Sequence, residues 1–227
     1  AVVVASGHMG REYASHGVPV SRLHTNPLFP TRAVDLAPRR SPVEPHVVFL
    51  GRMTALKGGD LLVGAVARAS SRLGRPVQLT MIGDGPQRGA WETLARRLNV
   101  GVTFTGWLAG GARWPHVASA SVLAISSVWP EPFGLVGLEA AALGVPAIAT
   151  NTRGISEWLH DEVNGVLVPT PASASTFGDR LAALLADPAR LEALGAGASR
   201  RAHEMSVDAH VSRLAAVLQA VRKEANG

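Results

Sequence analysis

The sequence predicts an α/β fold: a Rossmann-like, doubly wound parallel sheet of about six strands, with a short N-terminal remnant of a second domain. Three observations predict it. From His46 to Val168, short apolar runs alternate with segments of helical periodicity. The runs are continuously apolar, the pattern of strands covered on both faces. The chain has 227 residues, 47% hydrophobic and 17% charged, enough to bury a sizeable core.

Each element follows from local chemistry. Ala1–Ala5 reads as a strand, about His8–His16 as a helix, Gly17-Val18-Pro19 as a turn, and about Arg22–Thr25 as a short strand. This piece is too small for a core of its own and must pack on the body or on protein outside this sequence. Prolines 27, 30, 38, 42 and 45 make the next stretch extended and irregular. In the body, Val47–Gly51 is an apolar strand. A stripe at positions 61, 62, 65, 66 and 69 marks a helix over Asp60–Leu73. Val77–Gly83 is a strand, and Pro86 suits the first turn of a helix over Gln87–Leu98. Then come a strand at Val102–Gly106, a helix at Ala112–Ala120, a strand at Ser121–Ser127 and a helix at Phe133–Leu143. Pro146–Thr150 is a strand, Ile155–Leu159 a short helix and Val166–Val168 a last strand. Helices at about Ala172–Ala186, Pro188–Gly195 and Val207–Ala225 close the chain.

Composition removes whole classes. With no cysteine there is no disulfide framework, thiolate metal site or cysteine nucleophile. Eight histidines are scattered without metal-ligand spacing, so no metal site is expected. No apolar run reaches the ~20 residues of a membrane span, and the first residues lack the basic start of a signal peptide. A cytoplasmic location is expected, with the net charge of +5 suited to an anionic membrane surface. The same charge favours a phosphorylated small molecule. Nucleic acid is not expected, because the basic residues fall in scattered pairs (Arg39-Arg40, Arg96-Arg97, Arg200-Arg201) without interleaved aromatics.

In a doubly wound sheet, ligands bind beyond the carboxyl ends of the strands. Three loops there carry unusual chemistry. The first, Gly51 to Asp60, flanks a helix start with Arg52 and Lys57, a fork and a mobile point charge suited to phosphate. It is neither a Walker motif nor a dinucleotide fingerprint, and two solvated surface cations would give the same residues. The second, Gly83-Asp84-Gly85-Pro86, lets the backbone approach a ligand, or is a plain turn with Asp84 near a helix start. The third runs from Glu131 to Glu139. The amides of Phe133, Gly134, Leu135 and Val136 would be orphan donors at a helix start, with Glu139 about two turns inside. Carboxylates suit hydroxyl binding, and neither Glu has a cation partner nearby in sequence.

These loops occur in one order with Val102-Thr103-Phe104-Thr105-Gly106, Leu143-Gly144-Val145-Pro146 and Asn164-Gly165-Val166-Leu167-Val168-Pro169. Together they resemble the C-terminal, donor-binding domain of GT-B glycosyltransferases, in particular the large retaining family 4. The resemblance covers about 46–205. Ser6-Gly7-His8-Met9, His16-Gly17-Val18-Pro19 and Asn26-Pro27 are similar to the end of that family's N-terminal domain. The division implied is 1–30 as an N-terminal-domain remnant, 31–45 as a Pro-rich interdomain linker, 46–205 as the donor domain and 206–227 as a crossover helix. The chain, which begins without Met, is then expected to be the second half of a two-domain enzyme.

The resemblance implies roles. Arg52 and Lys57 would hold the diphosphate of a nucleotide-sugar and stabilise the leaving group. The amides of Gly134, Leu135 and Val136 would meet phosphate and sugar, with Gly83 and Phe133 beside them. Glu139 would bind ribose hydroxyls, and Glu131 a hydroxyl of the transferred sugar. Trp107 and Leu108 would lie by the base, although a core or interface indole fits Trp107 equally. Glu131, Arg52 and Lys57 would be the catalytic set. Transfer would retain configuration and need no metal or other cofactor; a covalent role for Glu131, by analogy with retaining hydrolases, is the weaker reading. One departure is Arg153-Gly154 where the family often has Gly-Gly. Arg153 is placed at the donor or in solvent, and Glu157 as a cap on the short helix.

Two other readings stay open: a stand-alone nucleotide-sugar-binding module without catalysis, and a GT-B nucleotide-sugar epimerase. The expected partners are a nucleotide-sugar and the missing N-terminal domain. The acceptor, base and sugar are not specified. Val207, Val211, Leu214, Leu218 and Val221 would form an orphaned stripe through which copies of the chain associate.

Overall fold

The computed structural model describes residues 1–33 and 42–225. Of the Pro-rich linker, 34–41 lie outside the described residues, Pro38 and the Arg39-Arg40 pair among them. Near the N-terminus, β1 (Val2–Val4) and β2 (Leu23–Thr25) pair in parallel around α1 (Gly7–Ser15). The Ser6 hydroxyl caps α1 by accepting from the Met9 amide at 3.1 Å.

The body is one six-stranded parallel sheet. Its strands are β3 (His46–Leu50), β4 (Gln78–Ile82), β5 (Val102–Gly106), β6 (Val122–Ile125), β7 (Ala147–Thr150) and β8 (Gly165–Val168). They lie in the order β5-β4-β3-β6-β7-β8. This is the doubly wound arrangement, in which the winding reverses between β3 and β6 and opens a crevice at their carboxyl ends.

Alternate residues of a strand face opposite ways, so the strands inside the sheet feed two cores. Val47, Phe49, Leu79, Met81, Val122 and Ala124 pack with α2 (Gly59–Leu73), α3 (Arg88–Arg97) and α6 (Ala174–Leu185). Val48, Ile82, Leu123, Ile125 and Ala149 pack with α4 (Trp114–Ala118), α5 (Leu135–Ala141) and α7 (Pro188–Glu204). The last helix is α8 (Val207–Ala225). Of its apolar stripe, Val207, Val211 and Leu218 are exposed. No helix among the described residues is long and apolar enough to cross a membrane.

Several boundaries differ from the sequence reading. Helix α7 does not stop at Gly195 but runs to Glu204. Gly195 and Gly197 are there for close packing: a Cβ on them would come within 2.5 Å of the Gly144 carbonyl oxygen and 2.1 Å of that of Val163. Pro86 precedes α3 rather than sitting in its first turn. The helix expected at Ala112–Ala120 is a 3-10 turn over Gly110–Arg113 followed by the short α4. The Ile155–Leu159 helix is a single 3-10 turn, Ile155–Glu157.

The N-terminal piece docks on the body. The Gly7 amide donates to Glu157 Oε1 at 2.6 Å, so Glu157 receives α1 rather than capping its own turn. Arg153 is exposed and faces Glu12 at 3.8 Å, and it is not among the residues that line the crevice. At the other end of β3 from the crevice, His46 lies between Thr80 Oγ1 (2.9 Å) and the Ser119 carbonyl (3.3 Å). Burial holds its pKa below the ordinary histidine value, partly countered by the Ser119 contact.

Candidate functional site

The crevice is a cleft of about 740 Å³ at the carboxyl ends of β3 and β6. From β3 the chain passes through Arg52 into a 3-10 turn, Ala55–Lys57, and enters α2 through Gly58. Gly58 has φ +60°, and a Cβ there would lie 2.1 Å from the Ser126 carbonyl oxygen. Only glycine lets the β3 loop lie this close to the end of β6. Two hydrogen bonds bind the loops: Ser126 Oγ to the Lys57 carbonyl, 3.0 Å, and the Val128 amide to the Leu56 carbonyl, 3.0 Å.

The β4 loop is tied in similarly, with the Met53 amide donating to the Asp84 carbonyl at 2.8 Å. The Asp84 side chain accepts from the next amide, Gly85, at 2.7 Å, and Gln87, not Asp84, occupies the residue before α3.

The β6 loop places the two carboxylates. Glu131 Oε1 forms an ion pair with Lys57 Nζ and accepts the Ser127 hydroxyl. Ser127 is in turn fixed by Thr150 Oγ1, which donates to its carbonyl at 2.6 Å. The missing cation partner of Glu131 is thus Lys57, distant in sequence but adjacent across the β3–β6 neighbourhood. The loop backbone is held from below: the Gly154 amide donates to the Glu131 carbonyl at 3.0 Å, and Trp158 Nε1 to the Phe133 carbonyl at 2.7 Å. A Cβ on Gly154 would lie 2.2 Å from each of the Glu131 and Pro132 carbonyl oxygens.

Helix α5 begins at Leu135, two residues later than expected, after Gly134 in the left-handed region (φ +76°). Glu139 is therefore one turn inside it, not two. Its Oε1 accepts the Thr31 hydroxyl at 2.5 Å. Both carboxylates are buried, Glu131 8% and Glu139 5% exposed, yet both line the cleft. Neither is the solvated residue that a chance Glu pair would be. Arg52 is exposed and has no ion pair among the described residues.

Every residue that the resemblance assigned to the donor lies on this cleft, whereas Asp84, Arg153 and Glu157 do not line it. Arg52, Lys57 and Gly83 come from the β3 and β4 loops, and Trp107 and Leu108 follow β5. Glu131, Phe133, Gly134, Leu135, Val136 and Glu139 form the β6–α5 side. Trp107 is 76% exposed, so it is not a core indole, whereas the Phe133 ring is buried. Sequence reasoning missed Ser127, Arg113, Trp129 and Leu28, which also line the cleft, and Thr31 behind Glu139. Trp129, an exposed aromatic two residues before Glu131, carried a usable signal. Ser127 and Thr31 carried none, because their relevance lies in what they touch.

Residues 44–187 match the family described as Glycosyl transferases group 1. Two curated relatives are similar over most of this chain. One is a D-inositol 3-phosphate glycosyltransferase of Segniliparus rotundus, 34% identical over 184 residues, covering 79% of this chain and 40% of the relative. The other is a GDP-mannose-dependent alpha-(1-6)-phosphatidylinositol monomannoside mannosyltransferase of Mycobacterium tuberculosis, 34% identical over 193 residues, covering 82% and 49%. The chain thus spans less than half the length of either. Among solved structures, S. aureus TarM in complex with fondaparinux, alpha-GlcNAc-glycerol and UDP superposes with TM-score 0.84 at 18% identity, over 96% of this chain and 43% of that one.

Proposed function

The chain belongs to the group 1 glycosyl transferases, with the fold of a GT-B domain, and we propose that its cleft binds the nucleotide diphosphate sugar of a retaining, metal-independent glycosyl transfer. One observation carries this reading: two cations from the β3 loop, Arg52 and Lys57, face two buried carboxylates from the β6 side, Glu131 and Glu139, across one cleft. That layout suits a ligand with a central anion and hydroxyls at both ends.

In this reading Arg52 and Lys57 grip the diphosphate, and amides at the start of α5 face it. Lys57 lies between Glu131 and the diphosphate and balances both. Glu139 takes the ribose hydroxyls. Glu131 takes a hydroxyl of the sugar and turns its anomeric carbon toward the acceptor. The bond from that carbon to the diphosphate oxygen breaks, with its electron pair leaving on the diphosphate. Arg52 and Lys57 stabilise the charge that develops there. The acceptor oxygen bonds to the same face, and its proton passes to the departing diphosphate. Positive side chains do the electrostatic work that a metal ion would do elsewhere.

The TarM neighbour is in complex with UDP and the mycobacterial relative is named as GDP-mannose-dependent, and this reading extends the nucleotide class, not the base, to this chain. The relatives run well beyond the stretch matched here. We place acceptor contacts in such a region, so that this chain binds donor but transfers little sugar alone. Calorimetric titration with UDP, GDP and ADP tests the reading. One nucleotide should bind selectively, and Arg52→Ala/Lys57→Ala should weaken it about a hundredfold or more, since each charged hydrogen bond is worth about 1.5–3 kcal/mol. Equal binding by the double variant, or no binding of any nucleotide, would overturn it.

A further inference from the structure

The Glu139 carboxylate is not held by the body that carries it. Its Oε1 accepts from Thr31, which belongs to the segment leaving β2, 108 positions earlier in the chain. Among the described residues Oε2 accepts no hydrogen bond, and Glu139 lines the cleft. One oxygen is anchored, and no described residue holds the other.

The segment is built to hold that anchor. On one side of Thr31, Asn26 Nδ2 donates to the His210 carbonyl at 3.2 Å, and the Pro27 carbonyl lies 2.8 Å from His210 Nδ1. The Phe29 ring meets the His210 ring edge-on, with centroids 4.9 Å apart. On the other side, the Arg32 guanidinium lies 5.4 Å over the Trp114 ring. Pro27 and Pro30 restrict the backbone between these points. The strap is pinned to α8 at one end and to α4 at the other, with the Thr31 hydroxyl delivered between them. A hydroxyl placed by prearranged backbone orients a carboxylate at little further entropic cost.

We propose that Thr31 is a positioning residue for Glu139, and that ribose recognition in this cleft depends on it. The proposal rests on the donor-site reading above and deepens it. With Oε1 tied to Thr31, the carboxylate presents Oε2 in one orientation to a ribose hydroxyl. Without Thr31 it turns freely, and a nucleotide lacking that hydroxyl binds almost as well as one that has it.

The test uses the 227-residue chain and whichever of UDP, GDP and ADP binds it. Calorimetry measures that ribonucleotide against its 2′-deoxy and 3′-deoxy forms for the unaltered chain, Thr31→Val, Thr31→Ser and Glu139→Ala. The unaltered chain should prefer the ribonucleotide over at least one deoxy form by about tenfold or more, the effect of one charged hydrogen bond. Glu139→Ala should abolish the preference. Thr31→Val should bring it close to unity, and Thr31→Ser should keep it. A general loss of packing would weaken all three ligands equally and leave the ratio unmoved. That result, or a full preference in Thr31→Val, would overturn the role of Thr31 while leaving Glu139 as the ribose ligand. A preference unaffected by Glu139→Ala, or no nucleotide binding at all, would overturn the donor-site reading and the proposal with it.

Discussion

The two cleft carboxylates look alike and are secured differently. Each is buried, each has Oε1 occupied by the chain's own donors, and each lines the cleft. Glu131 is held by Lys57 and Ser127, both from the α/β body, with Thr150 behind them. Glu139 sits on a body helix but is held by Thr31 from the N-terminal strap. The difference teaches that burial and place on the cleft do not reveal which part of a protein controls a side chain. One glutamate answers to the sheet, the other to the junction between the body and the N-terminal piece.

The largest expected effect separates the two by ligand. Glu139→Gln should weaken a bare nucleoside diphosphate by up to about a hundredfold, through loss of a charged hydrogen bond. Glu131→Gln removes a negative charge beside Lys57, so it should not weaken the bare nucleotide and should weaken only the corresponding nucleotide-sugar. Titrating both variants with both ligands checks this, and equal losses on the bare nucleotide would erase the distinction. Next in size is Gly154→Ala. The added methyl must displace the Glu131 and Pro132 carbonyls, each 2.2 Å from where it would stand. Such overpacking costs about 1–3 kcal/mol, lowering Tm by several degrees in a chain of this size. The damage should fall on nucleotide-sugar binding and spare the ribose preference set through Glu139.

The smallest effect supplies a control far from both carboxylates. Burial depresses the pKa of His46 in the folded chain. Above about pH 6.5 the ring is neutral in folded and unfolded states alike, so it adds no pH dependence. As pH falls below that value the unfolded chain binds the proton first, and stability declines until the folded ring protonates too. Tm measured from pH 7.5 down to 5 should fall less in His46→Gln than in the unaltered chain. The ribose preference at neutral pH should be the same in both. A variant that changed it would show that the far end of β3 communicates with the cleft.

Much of the fold was legible because strands and helices announce themselves in local spacing. The apolar run at Val47–Gly51 and the stripe at positions 61–69 each became the expected element within a residue or so. Two of the misreadings share one cause. Gly195 reads locally as a helix stop, but its hydrogen is what lets α7 lie against Gly144. Phe133 reads as the first residue of a helix, but its ring goes into the core and the turn is made by Gly134. In both cases a long-range contact set the local conformation.

The site divides along the same line. Which residue types would sit beyond the strand ends followed from the sequence, since β-to-α loops of a parallel sheet all open on one side. The alternation of apolar runs and amphipathic stripes determined that sheet, and with it the presence of Arg52, Lys57, Glu131 and Glu139 in those loops. The pairing of Lys57 with Glu131 follows only from β3 lying beside β6, a neighbourhood of strands far apart in the chain. The hold of Thr31 on Glu139 follows only from the docking of the strap on α8 and α4. Local periodicity encodes what a segment becomes. Which segments meet is decided by burying all their apolar faces at once, and only the tertiary structure carries out that minimisation.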